Sequence, residues 1–202
     1  MGIVVQTIDR LNRLDIIGPH KGYRAKDTFR MLEFGCQNIY TPHDYYPGMK
    51  YGMIAKSYFE NVGMRHISVD YTGEQGSLKK DLREPLNLGL FDVVTDFGTI
   101  EHVEGSLYMP MKNMHDACIV DGLIMHEVPK TGHWPGHGYH YFTKEIFQEL
   151  AVLCEYNIVE IGEFPAMGNE KDGWNVFVVY RKTKDNKFVS KTKFDRIEFP
   201  IK

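Results

Sequence analysis

The chain has 202 residues, 43% hydrophobic, 13% aromatic and 25% charged, enough for one sizeable core and too few for two comfortable domains. A formal net charge of -3 argues against general nucleic-acid binding, which needs a basic face. Cys36, Cys118 and Cys154 are too scattered for a disulfide framework or a paired metal knuckle, and no apolar run approaches the roughly 20 residues of a membrane helix, so the expectation is a cytoplasmic protein with no membrane association.

In chain order, residues 3–15 predict a short helix or arm, followed by a Gly/Pro/Lys/Tyr-rich connection through Tyr23. Arg30 to Phe34 is a compact strand ended by Gly35. A Pro/Tyr/Gly loop, Thr41 to Gly48, leads to a helix predicted over Met49 to Asn61 and closed by Gly63. His66 to Asp70 is a second strand, Phe91 to Asp96 a third, and Ser106 to Ala117 a helix. Gly122 to Val128 is a strand stopped by Pro129, and a Gly/His/Pro loop follows it to Phe142. Thr143 is an N-cap for a helix with Phe147, Leu150, Ala151 and Cys154 on one face. The strands Asn157–Glu163 and Asn175–Arg181 have no helix between them, so they are expected to pair antiparallel at a sheet edge.

Strands alternating with helices imply parallel βαβ units with right-handed crossovers, and hence a doubly wound α/β fold with a mostly parallel sheet. The expected organisation is a single domain over 1–202, with an N-terminal arm (1–28), a core (29–180) and a tail (181–202). The tail carries eight Lys/Arg against three Asp/Glu and is expected to be a solvated basic stretch.

Ligands of such sheets sit beyond the carboxyl ends of the strands. There, Asp70 can accept hydrogen bonds from both hydroxyls of a ribose, or simply form a turn. Asp81 can accept from an exocyclic amine while Leu82 covers a ring face, or lie idle at the surface beside Lys79 and Lys80. Gly35 and Gly98 allow a ligand to approach backbone where a side chain would collide. Together these positions describe a slot shaped for adenosine.

Several segments carry a family resemblance over roughly Phe29 to Tyr180. Met31-Leu32-Glu33-Phe34-Gly35-Cys36, Ser68-Val69-Asp70, Lys80-Asp81-Leu82, Phe97-Gly98-Thr99-Ile100-Glu101-His102-Val103, Gly122-Leu123-Ile124 and Tyr139 to Thr143 resemble, in order and spacing, the motifs of class I S-adenosylmethionine-dependent methyltransferases of the small-molecule type. The resemblance implies a Rossmann-like fold, S-adenosylmethionine as methyl donor with S-adenosylhomocysteine as its product, and a small-molecule acceptor. It implies a donor site formed by Glu33, Gly35, Cys36, Asn38, Asp70, Tyr71, Asp81, Leu82, Asp96, Phe97 and Gly98. At two positions where the family's loop has further glycines, this chain has Gln37 and Ile39, with Asn38 between them.

Methyl transfer from a sulfonium needs an aligned acceptor and, for many acceptors, a base. Glu101, His102, His137 and His140 are the candidates, and four of nine histidines fall between positions 126 and 140. His133, His137 and His140 have a helix-like spacing, but Pro135, Gly136 and Gly138 forbid a regular helix, so no metal ligand is assigned. Trp134, Tyr139 and Tyr141 either stack on a flat acceptor or close the pocket, and the Tyr40–Tyr51 loop is either a lid or a packed surface loop. A nicotinamide enzyme would need Gly-x-Gly-x-x-Gly after the first strand, and Gly35 to Tyr40 does not supply it. A scaffold module lacking catalysis and a metal-dependent hydrolase remain as alternatives.

Overall fold

In a computed structural model, residues 2–17, 29–166 and 173–200 are described. The expectations at Gly18–Tyr23, and the outermost residues of the arm and tail, lie outside them. Five helices are seen among these residues: α1 (Val5–Arg13), α2 (Ala55–Asn61), α3 (Tyr108–Ala117), α4 (Lys144–Cys154) and α5 (Lys191–Phe194). The strands are β1 (Arg30–Phe34), β2 (Arg65–Asp70), β3 (Leu78–Lys79), β4 (Phe91–Phe97), β5 (Cys118–Pro129), β6 (Tyr156–Pro165) and β7 (Trp174–Lys182). They form one sheet in the order β3-β2-β1-β4-β5-β7-β6. Pairings from β3 through β5 are parallel, and β7 is antiparallel to both β5 and β6.

Central strands are covered on both faces, which is why Met31 to Phe34 and Val93 to Phe97 are buried without interruption. Successive residues feed opposite cores. Leu32, Val94, Ile124 and Val178 pack with α3 and α4, whereas Met31, Val93, Met125 and Val179 pack with α1 and α2. The outer strand β6 instead alternates between half-buried and exposed positions over Tyr156 to Val159 and is mostly half-buried beyond them.

Four elements differ from their expected form. α2 begins at Ala55 rather than Met49 because the preceding residues pair with the loop after β1. Asn38 bridges Ile54, Ile39 donates to the Met53 carbonyl and Ala55 donates to that of Gln37, so these backbone groups are spent outside any helix. β5 starts directly at the end of α3, four residues early, with a register shift against β4 between Phe91 and Val93. β3 is too short for a periodicity signal. The tail is not simply solvated: Phe188, Val189, Phe194 and Ile197 are buried in the α3/α4 core, and Lys182 is buried with Nζ donating to the carbonyls of His115 and Cys118. Its charges mark the outer side of an amphipathic segment.

α1 is anchored by charge. Thr7 and Arg10, three residues apart, share the helix face that holds Ile8 and Leu11. Thr7 Oγ1 donates to both carboxylate oxygens of Glu127 at 2.8 and 2.9 Å, and Arg10 Nη1 donates at 3.0 Å. The guanidinium also lies over the Phe177 ring, 3.5 Å from its centroid. Burial pushes the Glu127 pKa up, with Arg10 opposing, and the Arg10 pKa down.

Removing one member of a buried pair strands the other charge. Arg10→Met is therefore expected to cost about 3–5 kcal/mol in urea unfolding. Arg10→Met combined with Glu127→Leu is expected to recover more than half of that. Equal losses in the single and double variants would show that the ion pair is not what seats α1.

Candidate active site

A cleft of about 500 Å³ opens where β1, β2 and β4 end, within the size range of small-molecule sites. Gly35, Asp70, Asp81 and Gly98 all line it. Position 35 allows no side chain: φ is +82°, and a Cβ would lie 2.2 Å from Thr99 Oγ1 and 2.7 Å from Gln37 Nε2. Gly98 is likewise left-handed, at φ 84°. The cleft lies between β1 and β4, the switch point of this strand order, because the chain winds outward through β2 and β3 on one side and through β5 on the other.

Asp70 Oδ1 accepts from the backbone N–H of Thr72 at 2.8 Å and from its hydroxyl at 2.7 Å. This Asx-type turn fixes the carboxylate at the cleft wall. Asp81 is held differently. Arg83 donates Nε to Oδ1 at 3.0 Å and Nη2 to Oδ2 at 2.7 Å, and these bonds lower the Asp81 pKa. The pair is exposed, so a ligand amine would compete with it at small cost. Leu82 is buried on the cleft wall. Its carbonyl and that of Glu84 accept from Asn113 Nδ2, each at 2.9 Å, while the Leu86 N–H donates to Asn113 Oδ1 at 3.2 Å. One buried amide on α3 thus sets the whole 82–86 loop. Sequence reasoning missed Asn113, because an Asn inside a helical stretch carries no local signal of the loop it serves.

Several expected donor-site residues stand elsewhere. Cys36 and Tyr71 line the cleft, but Glu33, Asn38, Asp96 and Phe97 do not. Glu33 is fully buried beneath the floor, 3.5 Å from His66 Nε2. Burial pushes its pKa well up, and burial also drives that of His66 down to about 3. Asn38 is occupied in the bridge to Ile54. Asp96 turns inward: Oδ1 accepts from the backbone N–H groups of Thr99 and Ile100, and Oδ2 from His126 Nδ1 at 3.0 Å. Phe97 belongs to the α1/α2 core. Burial, with Glu33 and Asp70 nearby, raises the Cys36 thiol to about 11.

The two replaced glycines have unequal effects. Ile39 is fully buried and bridges Ile3, away from the cleft. Gln37 reaches across the floor, its Nε2 donating to Thr99 Oγ1 at 3.0 Å while Thr99 donates to the Phe34 carbonyl at 2.8 Å. Gln37 and Thr99 both line the cleft.

Past β4, a 3₁₀ turn (Ile100–His102) brings Glu101 and His102 against the loop that follows β5. The Glu101 carbonyl accepts from the N–H groups of Tyr139 at 2.8 Å and His140 at 3.3 Å. A Cβ at Gly138 would lie 2.8 Å from that same carbonyl, so only glycine permits the crossing. The Glu101 carboxylate is fully buried, and Oε1 lies 3.6 Å from Nε2 of both His102 and His137. Burial raises the Glu101 pKa, with His137 opposing; burial and His137 lower that of His102. His140 is a fastener rather than a base: its Nε2 donates to the Val103 carbonyl at 2.9 Å.

The histidine-rich stretch therefore does not form one pocket. His126 lies in the sheet on Asp96, His133 packs near Trp174, and only His137 joins Glu101 and His102. Trp134 and Tyr141 close the loop, through Trp134 Nε1 to the Trp174 carbonyl and Tyr141 Oη to the Trp134 carbonyl, while Tyr139 lines the cleft. In the loop Tyr40–Tyr51, Tyr45 bonds Asp9 of α1, and Tyr40 packs on Tyr51; neither end of the loop lines the cleft.

No protein-family model and no curated relative matches this sequence. Solved structures do. TehB from Haemophilus influenzae aligns at TM-score 0.57 and 13% identity, over 87% of this chain and 62% of that one. The Burkholderia thailandensis 1,6-didemethyltoxoflavin-N1-methyltransferase, solved with 1,6-didemethyltoxoflavin and S-adenosylhomocysteine, aligns at 0.56 and 16% over 78% and 72%. The N-methyltransferase NodS from Bradyrhizobium japonicum, solved with S-adenosylhomocysteine, aligns at 0.56 and 14% over 88% of each chain. The seven-stranded sheet, with its antiparallel C-terminal pair, is thus the fold of the class I S-adenosylmethionine-dependent methyltransferases.

Proposed function

We propose that this protein transfers a methyl group from S-adenosylmethionine to a small-molecule acceptor. The observation that carries the reading is the convergence of Gly35, Asp70, Asp81 and Gly98 on one cleft at the switch point of the sheet. In this reading, residues 29–180 form the catalytic core of a single domain. Asp70, already fixed by Thr72, accepts from the ribose hydroxyls. Leu82 covers the adenine, whose exocyclic amine displaces part of the Asp81–Arg83 pair. Gly35 and Gly98 admit the sugar and the sulfonium arm against bare backbone, and Gln37 meets the methionine end. The same group of relatives solved with S-adenosylhomocysteine supports this choice of ligand.

His102, Val103, Glu104 and Tyr139 form the remaining wall of the cleft and are assigned to the acceptor. Chemistry there is an in-line displacement. The acceptor atom bonds the methyl carbon, the carbon–sulfur bond breaks, and its electron pair stays on sulfur as the neutral thioether. The sulfonium is a good leaving group, so the protein's work is alignment and acceptance of the acceptor's proton. Glu101 is the assigned base, with His102 and His137 beside it. His140 acts by position, holding the Val103 carbonyl. No helix among the described residues is long and apolar enough to cross a membrane.

S-adenosylhomocysteine at a hundred times its dissociation constant should stabilise the fold by about 2.7 kcal/mol, which for a chain of this length raises Tm by roughly 5–10 °C. A flat melting curve at millimolar ligand would favour the scaffold reading, with Gln37 filling the donor's place. Asp70→Ala removes a charge-assisted hydrogen-bond acceptor and is expected to weaken binding by about 10–100-fold by calorimetry. Asn113→Ala, which never touches the ligand, should weaken it by about tenfold by releasing the 82–86 loop. Unchanged affinity in both variants would place the ligand elsewhere.

A further inference from the structure

We propose that Glu101, His102 and His137 form a site for a divalent first-row transition-metal ion at the acceptor end of the cleft. The three offer one carboxylate oxygen and two imidazole nitrogens, all within 4.8 Å of one another. Glu101 Oε1 is 3.6 Å from each imidazole Nε2. For those separations a point equidistant from the three atoms lies at most about 2.4 Å from each, against about 2.0–2.2 Å for metal–nitrogen and metal–oxygen bonds. Closing the difference takes side-chain adjustments of a few tenths of an ångström.

The second observation is chemical. Both oxygens of Glu101 and Nε2 of His137 are buried and make no hydrogen bond, although buried polar groups rarely go unpaired. At 3.6 Å the histidines are too far to serve as donors to the carboxylate and well spaced to share an ion with it. The surrounding backbone maintains that spacing without help from the three side chains. The Glu101 carbonyl ties down Tyr139 and His140, Gly138 crosses at contact distance, and His140 pins Val103.

Two imidazoles and one carboxylate on one side of an ion suit zinc, iron(II), cobalt or manganese, and do not suit magnesium or calcium, which take oxygen ligands. Such a set leaves coordination positions open. Of the three, His102 lines the cleft, which places the site against the cleft wall. The ligand class that follows is an acceptor bearing a hydroxyl or carboxylate oxygen. This last step rests on the methyl-transfer reading. The ion would bind the acceptor oxygen and lower the pKa of its hydroxyl, whose proton passes to solvent before the oxygen attacks the methyl carbon, so that Glu101 serves the loaded site as a ligand in place of the base role assigned to it without the ion.

The test uses the full chain, stripped with a chelator and titrated with Co²⁺ while the visible absorption is followed, then with Zn²⁺ in competition. One equivalent is expected to bind with the visible bands of nitrogen-ligated cobalt. Glu101→Gln and His102→Ala are each expected to weaken binding at least about tenfold. His133→Ala, outside the set, should leave affinity unchanged. His102 is 45% exposed in its side chain, so its removal leaves the fold intact even if the Glu101 variant proves unstable. No uptake at millimolar Co²⁺, equal affinity in parent and His102→Ala, or loss of binding in His133→Ala would each overturn the site. The melting experiment with S-adenosylhomocysteine separates the two readings. A shift without metal uptake sinks the metal site alone, and metal uptake without a shift sinks the methyl-donor reading alone.

Discussion

The turn after β4 depends on one buried carboxylate. Asp96 accepts from the N–H groups of Thr99 and Ile100 with one oxygen and from His126 of β5 with the other. Three donors on two segments are thereby satisfied by a group with no exposure. Everything presented to the cleft from this side follows from that arrangement. Gly98 takes its left-handed turn, Thr99 reaches back to the Phe34 carbonyl, and Glu101 and His102 are set one turn further along. A charge in such a place is costly unless every lone pair finds a partner, and here the partners are the backbone of the turn it shapes.

A similar economy seats the flanking segments. Glu127 stands at the end of β5 and receives Thr7 and Arg10 from α1, which closes the β5/β7 side of the sheet and covers the second core. Asn113 does for the 82–86 loop what Asp96 does for the 98–102 turn. In each case a buried polar side chain fixes a neighbouring segment, and for Asp96 and Asn113 that segment borders the cleft. Glu33 is a different case. It sits with His66 in a dry pocket below the floor, where burial keeps the acid protonated to higher pH and holds the imidazole neutral.

The carboxylates of Asp70 and Asp81 differ from that of Glu101 in how far they are partnered. Around Asp70 and Asp81 each carboxylate has donors close by. Around Glu101 the backbone is fully engaged while the side-chain atoms are left open.

Alternation of apolar strands with amphipathic helices was enough to give the doubly wound class, and the stops at Gly35, Asp70 and Gly98 were enough to locate the cleft, because these are local consequences of chain direction and backbone freedom. Helix α2 came out long, and β5 late, because pairing of Gln37–Ile39 with Met53–Ala55 and of β4 with β5 joins residues whose mutual distance leaves no trace in local periodicity. The tail looked solvated because its lysines and arginines outweigh the four apolar residues that actually bury. Residue types at strand ends were thus determined by the sequence alone. Which carboxylate faces the cleft and which turns inward was decided only by tertiary structure: the register of the sheet sets Asp96 level with Val69, one residue short of Asp70, and a histidine waits behind Asp96 in the neighbouring strand, where a buried donor captures an acceptor before solvent or ligand can.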